Sequence, residues 1–224
     1  MGFVKLRHLR CIPLAFHNLS KKRLRALFFC DIAEKFLMMF RFLLSTCAFF
    51  ILTIGAMNAQ YTGVNWMSLE EAVAAQKKEP RPIMMDVYTQ WCGPCKMMMR
   101  NTFTSDDVIA YVNKNYYAVK FDAESNGTVS YQGKTYTNPN WNPNAKGRNS
   151  PHELSRALGV NAYPTLVYFD EEGRVITPIP GYKTPAQLEL YLKFFAFEYE
   201  SGLQQAEIQS RWDAFQGSFQ PSFQ

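Results

Sequence analysis

The sequence predicts an α/β domain built on a mixed sheet, parallel through its first strands and closed by an antiparallel hairpin. Helix and strand signals alternate from Ser68 to Phe195. Near the end, two β-leaning runs, Thr165–Phe169 and Arg174–Thr177, flank the short turn Asp170-Glu171-Glu172-Gly173. Alternation joins strands through helical crossovers and so makes them parallel, whereas a tight turn makes neighbours antiparallel. A hydrophobic content of 47% over 224 residues leaves ample apolar material to offset chain entropy, which excludes disorder as the dominant state.

Each element has its own signal. Ser68-Leu69-Glu70-Glu71 reads as a capping box, and Leu69, Ala72, Val73 and Gln76 follow at helical spacing until Pro80 and Pro82. Ile83–Thr89 is a short apolar run, read as a buried strand. A helix then begins at Cys92 and carries Lys96–Arg100. Thr104-Ser105-Asp106-Asp107 caps another, with Val108, Ile109, Tyr111 and Val112 as its apolar positions, and Tyr116–Asp122 reads as the next strand. Ser150-Pro151-His152-Glu153 opens a helix with Pro at its first position, and Gly159 closes it. Thr184-Pro185-Ala186-Gln187 caps a last helix with Leu188, Tyr191, Leu192 and Phe195 on one face. Two pieces lie outside this pattern. Residues 123–149 form an insert of 27 residues rich in Gly, Asn and Pro, with a small hairpin around Gln132-Gly133. The tail from Gly202 is rich in Gln and Ser, and is expected to continue as a weak helix through Arg211–Phe215 and then fray.

Charge separates the chain into parts. Residues 1–59 hold nine basic and two acidic residues, a net of +7, and the other 165 hold 15 basic and 17 acidic, a net of −2. The basicity is therefore a property of the N-terminus, and nucleic acid is not an expected partner. Phe42–Ile54 is thirteen residues without a charge, followed by small residues and a candidate cut after Ala59, which describes a secretory signal. The alternative is a retained anchor over residues 36–56, interrupted only by Arg41. On the signal reading, with the signal-like part starting at Met38 or Met39, residues 1–37 stem from an upstream start codon. Either way the chain after Gln60 is expected on the far side of the membrane, periplasmic or otherwise extracytoplasmic. The expected domains are 1–59 as extension and signal, 60–201 as the folded domain with insert 123–149, and 202–224 as tail.

Of five cysteines, only Cys92 and Cys95 lie beyond the leader. Trp91-Cys92-Gly93-Pro94-Cys95-Lys96 follows a strand and opens a helix. A two-residue spacer lets the sulfurs close a disulfide, and the helix N-terminus favours a thiolate at Cys92, the attacking species in disulfide exchange. A closed zinc site would need two further ligands, and His152 is the one histidine of this part, so no metal is expected. His152 itself reads as a solvent or capping residue. Met97, Met98 and Met99 are either adaptable substrate surface, even copper(I) ligands beside the thiols, or ordinary packing.

With this motif the sequence resembles the thioredoxin family, over roughly Trp66 to Ser201. WCGPCK carries the resemblance, together with Asp86 six residues before the first cysteine, Lys120 in the strand after the active-site helix, Tyr163-Pro164-Thr165 before the hairpin and Gly181 before the last helix. The resemblance implies a thioredoxin-like fold, a three-layer α/β/α arrangement around the mixed sheet, with a cis Tyr163–Pro164 bond. It implies Cys92 as nucleophile, Cys95 as resolving thiol, and Asp86 and Lys120 as catalytic aids, Asp86 taking the proton of Cys95. The other reading of Asp86 is a structural acid paired with Lys120. Trp91, Gly93, Pro94, Tyr163 and Pro164 would meet the substrate. No cofactor is needed beyond the redox-active disulfide Cys92–Cys95.

The expected activity is thiol–disulfide exchange, in the reducing direction because the Gly-Pro spacer resembles that of reducing thioredoxins. The alternatives are an oxidase or isomerase of exported proteins, and a binding or chaperone-like module. Expected partners are disulfide-containing exported proteins and a membrane or soluble electron donor or acceptor, with the chain itself monomeric. Because the insert leaves the sheet at the end where the active-site helix starts, Tyr131, Tyr136 and Trp141 are expected to help select substrate.

Overall fold

The computed structural model describes residues 62–224. The leader, the cut after Ala59 and the anchor reading of 36–56 lie outside the described residues. Strands β1 (Trp66–Met67), β2 (Ile83–Tyr88), β3 (Tyr117–Asp122), β6 (Thr165–Phe169) and β7 (Val175–Pro180) form one sheet in the order β1-β3-β2-β6-β7. β3 is parallel to both β1 and β2, while β6 is antiparallel to β2 and to β7. The mixed sheet expected from the sequence is present. Its short first strand, only two residues long, carries no alternation by which a sequence could reveal it.

Helices cover both faces. α1 (Leu69–Gln76) and α4 (Glu153–Ala157) pack on one, burying Leu69, Ala72, Leu154 and Leu158 against Ile83, Met85, Val87 and Phe169. α2 (Gly93–Asn101), α3 (Asp106–Asn115) and α5 (Pro185–Lys193) pack on the other, burying Met98, Val108, Val112, Leu188 and Leu192 against Met84, Ala118 and Tyr168. Alternate residues of β2 thus enter different cores, as a pleated strand requires. Both expected capping boxes form, at Ser68 with Glu71 and at Thr184 with Gln187.

Two expectations need correction, the start of α4 and the fate of the tail. α4 is capped by His152 rather than by Ser150. Its Nδ1 accepts the Leu154 N–H at 3.1 Å, so Pro151 stands outside the helix. His152 is fully buried, so capping and not solvent contact describes it. Its Nε2 lies 2.9 Å from the Gly127 carbonyl, and since Nδ1 accepts, Nε2–H donates and ties the insert to α4. The insert does hold the expected hairpin, β4 (Val129–Tyr131) with β5 (Lys134–Tyr136), turning at Gln132 and Gly133, both at positive φ.

The tail does not fray. After a π-helical turn (Phe194–Glu198), α6 runs over Gln205–Ser218, and residues 219–224 return to the body. Trp212 stacks on Tyr191 at 5.3 Å and meets Phe194 edge-on at 5.0 Å. The fully buried Glu189 carboxylate accepts the Ser222 N–H, the Ser222 hydroxyl and the Phe223 N–H, and pairs with Lys193. The aromatic residues scattered along a polar tail are thus docking residues, and polar composition hid them. Among the described residues no helix is long and apolar enough to cross a membrane.

Glu189→Ala removes the acceptor for three tail donors. It is expected to cost about 1–3 kcal/mol, read as a lowered thermal midpoint, with residues 219–224 becoming sensitive to carboxypeptidase.

Candidate active site

β2 ends at Tyr88, the chain turns with Cys92 N–H donating to the Thr89 carbonyl at 3.2 Å, and Cys92 becomes the N-cap of α2. An N-cap accepts a bond from the open first turn of its helix, and here the acceptor is sulfur: the Cys95 N–H points at Cys92 Sγ at 3.1 Å. Pro94 sits in the first turn, where its missing N–H costs nothing. Cys92 and Cys95 are joined as a disulfide. Both sulfur-bearing residues are nearly covered, at 2% and 3% exposure, while Trp91, Gly93 and Pro94 around them are exposed. A Cβ placed on Gly93 would meet nothing within 4 Å, so this side of the pair is open to an approaching chain.

The second wall is the segment before β6. The Tyr163–Pro164 peptide is cis, as the resemblance implied, and Thr165 pairs with Val87 at the end of β2. The Pro164 carbonyl is taken by the Gly181 N–H at 2.7 Å, and Gly181 has φ of +88°, which explains glycine there. Tyr163 is half-buried and meets the Trp91 ring edge-on at 5.9 Å.

Asp86 lies on β2, the strand that leads to the pair. It points to the same face of β2 as Met84, into the layer that contains α2, and is 1% exposed with one carboxylate oxygen lacking any hydrogen-bond partner. Burial pushes its pKa up to about 7, and the nearby Lys120 charge only partly offsets this. Lys120 occupies the register position beside Asp86 on β3. No ion pair joins the two among the described residues; the Lys120 ammonium instead donates to Met99 Sδ at 3.1 Å and lies over the rings of Tyr88 (4.8 Å) and Trp66 (5.7 Å). The reading of Asp86 as the partner in a structural salt bridge is therefore not what the fold builds. A cavity of about 430 Å³ opens beside Cys95, lined by Tyr88, Lys96, Met99, Arg100 and Lys120. Met98 is core and Met97 is exposed, so the methionine run divides by helical position and does not converge.

The insert behaves differently from expectation. Tyr131 is buried, its hydroxyl donating to the Gly173 carbonyl at 2.7 Å and its ring edge-on to Phe169 at 5.7 Å, at the end of the sheet away from Cys92. Tyr136 packs against the same core, and Trp141 is half-buried with its backbone N–H donating to the Asn138 carbonyl. What reaches Trp91, the residue before Cys92, is the two ends of the insert. Glu124 accepts the Trp91 indole N–H at 3.0 Å with one oxygen and the Asn149 N–H at 2.8 Å with the other. The Arg148 guanidinium lies 4.1 Å from the centre of the Trp91 ring. Sequence reasoning favoured the aromatic residues and missed these two, since nothing local marks them.

A family model described as a thioredoxin-like domain matches residues 69–196, more than half of the chain. The chain belongs to the thioredoxin-like family. Among curated relatives, the thiol:disulfide interchange protein DsbD of Pectobacterium atrosepticum is 25% identical over 125 residues, 55% of this chain and 18% of that protein. The Klebsiella pneumoniae DsbD is 31% identical over 47% of this chain and 14% of its own length. This thioredoxin-like chain therefore spans less than a fifth of the DsbD proteins it matches. A thioredoxin-like protein of Synechocystis, slr0233, is 24% identical over 52% of this chain and 83% of its own. Similar solved structures include a thioredoxin-fold protein from Helicobacter pylori, at TM-score 0.46 and 15% identity over 69% of this chain and 88% of that one. A putative disulphide-isomerase from Bacteroides thetaiotaomicron is 26% identical at TM-score 0.43, covering 63% of this chain and all of its own.

A raised carboxylate pKa means the folded state holds a proton that the unfolded state has lost between about pH 4 and pH 7, so this residue's contribution to stability falls as pH rises through that window. Asp86→Asn is expected to stabilise the fold by about 1–3 kcal/mol near pH 8, with the gain vanishing near pH 4, as measured by denaturant titration at both pH values.

Proposed function

We propose that this protein is an exported thiol–disulfide oxidoreductase that reduces disulfides of other exported proteins. The observation that carries the reading is the Cys92–Cys95 pair at the start of α2, with a buried, partnerless carboxylate oxygen of Asp86 on the strand that leads to it. The relatives named as thiol:disulfide interchange proteins support the class of reaction. The leader with its basic flank and apolar run supports export.

The chemistry follows from the groups present. In the reduced protein, Cys92 Sγ is favoured as thiolate because the helix start offers it an N–H and partial positive charge. The thiolate attacks one sulfur of a substrate disulfide, forming a Cys92–substrate bond while the other substrate sulfur leaves as thiolate. Asp86, with its pKa near neutrality, takes the proton of the Cys95 thiol. Cys95 then attacks Cys92 Sγ, the mixed disulfide breaks, and the second substrate sulfur leaves. Two electrons have passed to the substrate, and the Cys92–Cys95 bond stores the oxidised state until a dithiol donor reduces it. Trp91, Gly93 and Pro94 form the exposed rim over which the substrate lies, and the backbone beside cis-Pro164 pairs with it in extended form. Lys120, next to Asp86 in register, favours the carboxylate form and so limits how far its pKa rises.

Two substitutions test the assignment. Cys92→Ser is expected to reduce insulin turnover to the buffer background, and Cys95→Ser to accumulate mixed disulfides on Cys92 that are released by thiol. Retained turnover in Cys92→Ser, or no thiol-sensitive adducts with Cys95→Ser, overturns the reading. The redox potential of the pair fixes the direction: a value near that of reducing thioredoxins, about −270 mV, supports the reductant, and one near −120 mV, that of strong oxidants, replaces it by an oxidase.

A further inference from the structure

The domain beyond residue 59 carries 15 basic against 17 acidic residues, so a random patch of its surface is slightly negative. The surroundings of the disulfide are the reverse. On one side the exposed Arg148, brought by the insert, lies over Trp91, the residue before Cys92. On the other, Lys96, Arg100 and Lys120 line the cavity that opens beside Cys95. None of these four has a carboxylate within ion-pair distance among the described residues. Two acids nearby, Asp122 and Glu124, keep their charge because their hydrogen-bond donors are neutral. Burial, and then both of these charges, push up the Tyr163 hydroxyl, so the cationic side is the one set by Arg148, Lys96 and Arg100. Asp86 is buried on β2, Asp122 accepts from the Gln90 side chain and the Glu124 N–H, and Glu124 is held by Trp91 and Asn149.

Arg148 could have neutralised Glu124, since the next residue, Asn149, donates its N–H to that carboxylate. Instead Glu124 fixes the indole by its edge while the guanidinium covers its face. A stacked guanidinium keeps its N–H donors free at the ring margin, ready for a carboxylate. Trp91 also touches Tyr163, so Arg148 stands on the rim along which a chain paired to the cis-proline segment would run.

Resting on the oxidoreductase reading, we propose that the insert and α2 together form a cationic cradle that selects partners whose disulfide is flanked by acidic residues, with Arg148 and the Lys96–Arg100 side of the cavity as the specificity determinants. The cradle acts mainly on encounter, because unpaired cations around one reactive sulfur steer an acidic segment to it and repel a basic one. Its effect is accordingly screened by salt.

The test uses the full chain, reduced, with three small disulfides of different charge: dianionic 5,5′-dithiobis(2-nitrobenzoate), neutral bis(2-hydroxyethyl) disulfide and dicationic cystamine. Second-order rates of the reduced pair are compared for the unaltered protein, Arg148→Glu, Arg100→Glu and the charge-preserving Arg148→Lys, at low and high salt. Each Glu variant is expected to lose about three- to tenfold on the dianion, to change little on the neutral disulfide and to gain on cystamine. These shifts should collapse in high salt, with Arg148→Lys close to the unaltered protein. Equal losses on all three disulfides, or no change on any, overturn the cradle and leave the oxidoreductase assignment standing. If the unaltered protein reacts with none of the three, the oxidoreductase assignment itself falls.

Discussion

Strand β2 is buried on both faces and hydrogen-bonded on both edges, and every other part of the molecule is arranged around that fact. A central strand in this position has to be apolar throughout, and Ile83, Met84, Met85 and Val87 comply. The single departure is Asp86, whose burial raises its pKa toward neutrality with no ion pair to relieve it. The end of the same strand carries the chain to Cys92, so the titrating carboxylate and the reactive pair are held on one rigid element and its continuation. The strand pays for the acid in stability at neutral pH, and in the proposed mechanism it gains a proton acceptor that water would not leave at this pKa.

Much of this was readable from residues. The β2 run, the two capping boxes, the turn before β7 and the Cys-Gly-Pro-Cys helix start are local patterns whose physics operates within a few residues. The two-residue β1 was not readable, because its pairing is decided by β3, some fifty residues away. The start of α4 was misread by two residues, since Pro151 is a good first helical residue but the buried His152 ring is a better cap here. The tail was misread because Gln and Ser dominate its composition, while its fate is decided by Trp212, Phe223 and the buried Glu189 that receives it.

The candidate site divides in the same way. The register sets Asp86 beside Lys120 and Val87 beside Thr165, next after the cis Tyr163–Pro164 pair, while Cys92 and Cys95 are joined at the start of α2. The insert did not follow its most conspicuous residues. Tyr131 is spent on closing the far end of the core, and the residues that meet Trp91 are a glutamate and an arginine at either end of the excursion. Residues that enter and leave an insert are held where the fold holds its anchor points, so they reach the site regardless of what the middle does. The aromatic middle is free to find its own core.

The edges of the sheet impose a last condition. β1 is two residues long, and β7 carries Pro178 and Pro180, which have no N–H to offer a newcomer. Neither border therefore invites an extended polypeptide to add itself to the sheet. The proposed oxidoreductase would hold unpaired chains next to a reactive sulfur, and a protein doing so is at constant risk of being templated by them into aggregates. Blunt borders would leave such backbone pairing, in the proposed function, to the short segment at Tyr163.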